Sequence, residues 1–134
     1  MPLNTILIED SETIRESLIP TLAELANAKV IAVAQTAEEA LEALDRLAQE
    51  WDLAIVDLFL KEGSGLAVLR AARGRRPHQR MVVLTNYPTA EIRRRCLALG
   101  ADGVFDKSVE LEAFFDLCSS YDANASSAPR SLDP

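Results

Sequence analysis

The chain has 134 residues, is 49% hydrophobic and carries a formal net charge of −7, enough apolar material for one domain with one complete core. The acidic balance excludes general nucleic-acid binding, which relies on basic surface to displace counterions from phosphates. No apolar run approaches the roughly 20 residues that span a bilayer and no basic-then-apolar leader opens the chain, so a cytoplasmic protein without membrane insertion is expected.

The first apolar run, Leu3 to Ile8, ends in Glu9-Asp10. After it Ile14, Leu18, Leu22 and Leu25 fall on one helical face, in which Pro20 removes a backbone donor and predicts a kink. Lys29 to Ala34 is a second run. Thr36-Ala37-Glu38-Glu39 reads as a capping box that places Ala40, Leu41, Leu44 and Leu47 inward. The third run, Leu53 to Val56, ends in Asp57; a helix over about 65–72 then carries Leu66 and Leu69 and ends among arginines, which suit a helix C-terminus. Met81 to Leu84 ends in Thr85, and the next helix turns Ile92, Cys96 and Leu99 inward before stopping at Gly100. Gly103 to Phe105 is the last run, with Lys107 just beyond it. Leu111, Phe114, Phe115 and Cys118 then follow the i, i+3, i+4, i+7 spacing of a helix packed on a core. A domain over 1–122 is expected, followed by an aperiodic, disordered tail over 123–134.

Val and Ile dominate the five runs and polar residues scarcely interrupt them, as in strands buried on both faces by flanking helices. Five βα units with right-handed crossovers give an open, doubly wound parallel sheet, since a closed barrel needs more units. Cys96 and Cys118 have no further ligand at metal-binding spacing and read as buried thiols. His78, between Pro77 and Gln79, reads as a loop residue.

In an open α/β sheet, ligands bind beyond the carboxyl ends of the strands. Glu9, Asp10, Asp57, Thr85 and Lys107 all lie there. Each alone has an ordinary reading: Asp10 as a helix cap, Asp57 as a turn opener, Thr85 bonded to local backbone, Lys107 solvated. Together they do not, because three crowded carboxylates repel unless a cation compensates. An all-oxygen donor set points to Mg²⁺, which typically binds through one or two carboxylates and a phosphate. Phosphoryl transfer fits that inventory. Asp57 is then the nucleophile that becomes an aspartyl phosphate. Asp10 and Asp57 hold the metal directly, Glu9 holds it through water, and the Phe59 carbonyl completes the set. Lys107 places a point charge on the phosphoryl oxygens, and Thr85 donates a hydrogen bond to another.

These residues, with Asp57-Leu58-Phe59-Leu60, Gly63-Ser64-Gly65 and Gly100-Ala101-Asp102-Gly103 before Lys107, resemble the receiver domain of two-component response regulators over about residues 3–121. The resemblance implies a flavodoxin-like strand order, 2-1-3-4-5. It implies phosphoryl supply from a sensor histidine kinase, a histidine phosphotransfer protein or a small acyl phosphate. It also implies self-phosphorylation and self-dephosphorylation without turnover of outside substrates, and an output protein that meets the fourth helix, fifth strand and fifth helix. A homodimer is left open. Val104 stands where the family usually carries an aromatic switch residue, with Phe105 next to it; Asn86 follows Thr85 where a small residue is usual. Ser108 follows Lys107, and Lys61 follows Leu60, where Pro is common. Arg93, Arg94 and Arg95 are read as the outer side of the fourth helix, opposite Ile92 and Cys96, either solvated or facing an acidic partner. The alternatives are an amino-terminal receiver cut from a longer regulator, a phosphorylation-independent binding module and an aspartyl-phosphate phosphatase. The phosphatase reading lacks an acid two residues after the nucleophile, where Phe59 sits. A nucleotide or flavin carrier would need a glycine-rich loop after the first strand, and none is present.

Overall fold

The computed structural model describes residues 2–131, with side chains through Asp122. Among these, strands and helices alternate: β1 (Leu3–Ile8), α1 (Glu12–Ala26), β2 (Ala28–Ala34), α2 (Ala37–Arg46), β3 (Leu53–Val56), α3 (Gly65–Ala71), β4 (Arg80–Thr85), α4 (Ala90–Ala98), β5 (Gly103–Asp106) and α5 (Leu111–Ser131). The strands form one parallel sheet in the order β2-β1-β3-β4-β5, as the resemblance implied. The domain limit expected at residue 122 falls within α5, which runs on to Ser131, and the side chains of the tail expected over 123–134 lie outside the described residues.

Local chemistry sets the helix starts. Hydroxyls of Ser11, Thr36, Ser64 and Thr89 each accept an amide from the first turn that follows, satisfying donors that have no intrahelical partner. In the Thr36 box, Glu39 reaches back to the Gln35 N–H at 2.8 Å, one residue before the cap. Asn27, at φ 50°, ends α1 in the left-handed conformation and lets β2 begin at once. Pro20 lies inside α1, which continues as one helix on both sides of it.

Strand side chains alternate between two apolar layers. Ile6, Ile8, Val56, Met81 and Val83 meet α2, α3 and α4 on one side. Leu7, Leu53, Ile55 and Val82 meet α1 and α5 on the other, around Phe114 and Cys118. Covering both faces keeps β1 and β3 dry, and each fully buried Leu or Ile adds about 1.5–3 kcal/mol. β2 departs from the expected two-sided burial, because it is an edge strand with Val33 exposed. Leu25 and Leu41 are also exposed. The α1 face steps by four from Leu22 to Ala26, and the α2 face runs through Ala40, Ala43 and Leu44; both spacings suit a helix, and contact with the sheet selects between them. Asp102, just before β5, ties down β4 and the α3–β4 loop: its Oδ2 accepts the Met81 N–H at 2.8 Å and Arg75 Nη2 at 2.9 Å.

Both cysteines are buried free thiols. Burial pushes the Cys118 thiol up to about 12 and also raises Cys96, so neither forms the reactive thiolate near neutrality. Iodoacetamide at about pH 8 is expected to leave both unmodified in the native chain and to alkylate both after denaturation. Intact mass would show this, and rapid native labelling would contradict their burial. His78 lies between α3 and β4, with Nε2 3.7 Å from Asp52 Oδ1.

Candidate functional site

Strand register builds the site. Ile8 and Val56 are paired across β1 and β3, and the Asp57 N–H donates to the Ile8 carbonyl at 3.0 Å. Glu9 and Asp57 therefore leave the sheet side by side. Thr85 pairs with Asp106 at the ends of β4 and β5, and the Lys107 N–H donates to the Thr85 carbonyl at 2.9 Å. All five predicted polar residues thus collect at the carboxyl edge.

The Lys107 ammonium lies between two carboxylates, with Nζ 2.6 Å from Glu9 Oε1 and 3.1 Å from Asp57 Oδ2; the three side chains are 9%, 4% and 7% exposed. Half-buried Asp10 joins them, and one oxygen from each of Glu9, Asp10 and Asp57 lies within 4.8 Å of the others. Backbone donors hold the remaining oxygens: the Ser11 N–H reaches Glu9 Oε2 at 3.1 Å and the Phe59 N–H reaches Asp57 Oδ1 at 3.2 Å. Arg15 Nη1 donates to the Glu9 carbonyl at 2.8 Å. Among the described residues, Thr85 Oγ1 is the one buried side-chain polar atom without a hydrogen-bond partner. Such a group is costly and uncommon in folded proteins.

Burial pushes the Glu9 carboxyl above its ordinary range and the Asp57 charge pushes it further, against hydrogen bonds from Lys107 and the Ser11 N–H. For Lys107, burial pulls the ammonium down, but the Glu9 hydrogen bond and the charges of Asp57 and Glu9 together outweigh it and raise the group. The two groups rise for different reasons: burial leads for Glu9, whereas for Lys107 the neighbouring carboxylates outweigh burial. The amine stays charged near neutrality.

Phe59 is exposed and meets exposed Tyr87 edge-on, with ring centroids 5.9 Å apart. Val104 is buried on the α4 side of the sheet, whereas Phe105 faces the other layer and packs edge-on against Phe114 at 6.0 Å. An opening of about 320 Å³ between α1 and the β5–α5 turn is lined by Ile14, Ser17, Asn86, Lys107 and Ser108 among others. A larger cleft of about 520 Å³, beside Trp51 and between α2 and α3, is separate from the carboxylates.

The expected arginine face needs correction. Arg94 and Arg95 are exposed, but Arg93 is half-buried and turned toward β5. Its Nε donates to the Pro88 carbonyl at 3.1 Å, Nη1 to the Val104 carbonyl at 2.8 Å and Nη2 to Glu110 Oε1 at 2.8 Å. A helical position places only the Cα, and a long guanidinium fork follows whatever acceptors lie in reach. Glu110 was absent from the sequence reading. Its signal is slight: one acid three residues after Lys107, at the entrance to the last helix.

A doubly wound five-stranded parallel sheet with acids and a lysine at its carboxyl edge defines a flavodoxin-like class of α/β domain. The family model for the response regulator receiver domain matches residues 5–118, and the chain belongs to that family. It is 36% identical over 101 residues to the acid tolerance regulatory protein ActR of Rhizobium meliloti, covering 75% of this chain and 50% of that protein. It is 32% identical over 110 residues to a cyclic di-GMP phosphodiesterase of Thermotoga maritima, covering 82% of this chain and 28% of that one. The chain thus spans half or less of the length of these two curated relatives. Among solved structures, the receiver domain of AraT, a response regulator from Geobacillus stearothermophilus, superposes with a TM-score of 0.77 at 24% identity, covering 96% of this chain and 99% of that one. A response regulator from Burkholderia pseudomallei, solved with a phosphorylated aspartic acid, calcium and citrate, gives 0.71 at 23% identity, covering 98% and 75%. No helix among the described residues is long and apolar enough to cross a membrane.

Proposed function

We propose that Asp57 is the phosphoryl acceptor of this receiver, supplied by a phosphohistidine on a sensor kinase or phosphotransfer protein, or by a small acyl phosphate. The observation that carries this reading is the buried Asp57 carboxylate held 3.1 Å from the Lys107 ammonium, on the same sheet edge as the partnerless Thr85 hydroxyl. An Asp57 oxygen attacks phosphorus, the phosphorus–nitrogen or phosphorus–oxygen bond to the donor breaks, and the leaving group takes the electron pair. Lys107 shifts its charge from the carboxylate onto a phosphoryl oxygen, and Thr85 Oγ1 gains an acceptor in another. Attack of water on the acyl phosphate later releases inorganic phosphate and restores the carboxylate.

Three clustered carboxylates, two of them in contact with a single ammonium, leave the cluster short of positive charge, and an all-oxygen donor set suits Mg²⁺. Asp10 and Asp57 would hold the ion, with Glu9 bridging through water and the Phe59 carbonyl completing the set. When bound, it would neutralise charge on the phosphoryl oxygens. The Burkholderia relative with its phosphorylated aspartic acid and calcium lends support by analogy. A phosphoryl group adds about −1.5 to −2 charges at this edge, enough to bias a nearby surface between two arrangements for an output protein.

Intact mass after incubation with Mg²⁺ and acetyl phosphate is the test. One phosphate adduct is expected on the parent chain and none on Asp57→Asn. An adduct that survives that substitution would refute the assignment. A second reading makes this receiver one part of a longer regulator, as the chain's 28% and 50% share of its relatives suggests. The length of the genomic reading frame distinguishes the two.

A further inference from the structure

We propose that Arg93 and Glu110 form a positioning pair for the phosphoryl-transfer residues, tying the loop after Thr85 to the turn that carries Lys107. The proposal rests on the reading of Asp57 as acceptor. Arg93 joins three segments at once: the β4–α4 loop through the Pro88 carbonyl, β5 through the Val104 carbonyl, and the entrance to α5 through Glu110. Glu110 Oε1 also accepts the Asp106 N–H at 2.9 Å, and the Glu110 N–H donates to the Asp106 carbonyl at 2.9 Å. Lys107 is therefore held on both sides. Its own N–H is bonded to Thr85, and the residue before it is bonded to Glu110.

An ordinary exposed ion pair would do little, since solvent screens it and side-chain entropy opposes it. This pair differs in connectivity, because three of its side-chain hydrogen bonds end on backbone atoms of the segments that present Thr85 and Lys107. A planar guanidinium spanning three acceptors constrains direction as well as distance, which a lysine does not. Its contact with Val104 also matters. Val104 offers no ring to rotate, and the Arg93–Glu110 pair supplies a polar connection from the Lys107 turn to α4 at that same residue. A small misplacement of groups around a reacting centre is costly to rate.

The test has two arms on the full chain. In the unphosphorylated protein, amide hydrogen exchange at Asp106 and Lys107 is expected to accelerate roughly tenfold in Arg93→Ala and Glu110→Ala, while β1 and β3 amides keep parent rates. With Mg²⁺ and acetyl phosphate, both variants are expected to gain phosphate roughly tenfold more slowly. Arg93→Lys should restore little of either, and the double variant should be no slower than the slower single, since the two residues act as one unit. Unchanged exchange at Asp106 and Lys107 would overturn the proposal, as would altered exchange with phosphate gained at the parent rate. If the parent chain itself gains no phosphate, the acceptor reading falls, and the pair's chemical role with it. Normal uptake by the parent and by both variants removes the pair alone.

Discussion

Lys107→Ala is expected to destabilise the chain by about 3–5 kcal/mol in the absence of Mg²⁺, because it strips the contacting cation from two buried carboxylates. Glu9 and Asp57 are 4% and 7% exposed at the side chain, so both charges are largely withdrawn from water. The loss should depend on pH. Burial already raises the Glu9 carboxyl above its ordinary 4.5, and Lys107 is the principal group opposing that rise; without it the folded-state value climbs further. A carboxyl that binds its proton more tightly folded than unfolded contributes stability that is fully present below 4.5 and is lost as pH climbs through the folded value. Urea unfolding at about pH 5 and pH 8 should therefore show the larger deficit at the higher pH. Added Mg²⁺ should recover part of it, since a ligand of the native state alone stabilises by mass action. Phosphate uptake should fall by about 100-fold, the usual scale for losing one charge-stabilising donor in a reaction site. A variant as stable as its parent at both pH values would show that the carboxylates are not held against their own repulsion.

Gly65→Ala is the second large effect, and its cause is steric. A Cβ at Gly65 would collide with the Asp57 carbonyl oxygen and stand 2.8 Å from the Leu58 Cα, both backbone atoms that no side-chain rotation can move away. The start of α3 lies this close because the Gly65 N–H donates to the Leu58 carbonyl at 3.1 Å. Glycine is needed for the approach itself, as its φ is not in the left-handed region. The added methyl must displace the segment that presents Asp57. A loss of about 3 kcal/mol is expected from overpacking, together with slower phosphate uptake, because the nucleophile moves with the loop. Gly74→Ala is the matching control. Nothing lies within 4 Å of its Cβ, so its urea midpoint should stay near that of the parent. Equal midpoints for the two variants would show that the β3–α3 loop accommodates the methyl.

The candidate site was legible because each of its residues ends a strand that pattern alone reveals. Unbroken apolar runs mark strands covered on both faces, and parallel order carries all their carboxyl ends to one edge. Glu9, Asp10, Asp57, Thr85 and Lys107 could therefore be assembled without coordinates. Faces of amphipathic helices were less legible: Leu25 and Leu41 occupy positions that three-residue and four-residue steps serve equally, and docking on the sheet turned both outward. Arg93 was the clearest miss. Its acceptors lie on Pro88, Val104 and Glu110, up to 17 residues away in sequence, and no local periodicity encodes which acceptors a long, flexible side chain finds.

By itself, then, the sequence determined the βα alternation, the strand ends and the inventory of charged groups brought to them, since these depend on local period and on the fixed direction of parallel strands. Only the tertiary structure decided how those groups pair. Lys107 lies closer to Glu9 than to Asp57, Thr85 keeps a buried hydroxyl with no partner, and Arg93 binds β5 and Glu110 instead of facing solvent with Arg94 and Arg95. Pairing among charges is set by distances across separate strands and loops and by the water that burial removes, quantities that exist only once the sheet has formed.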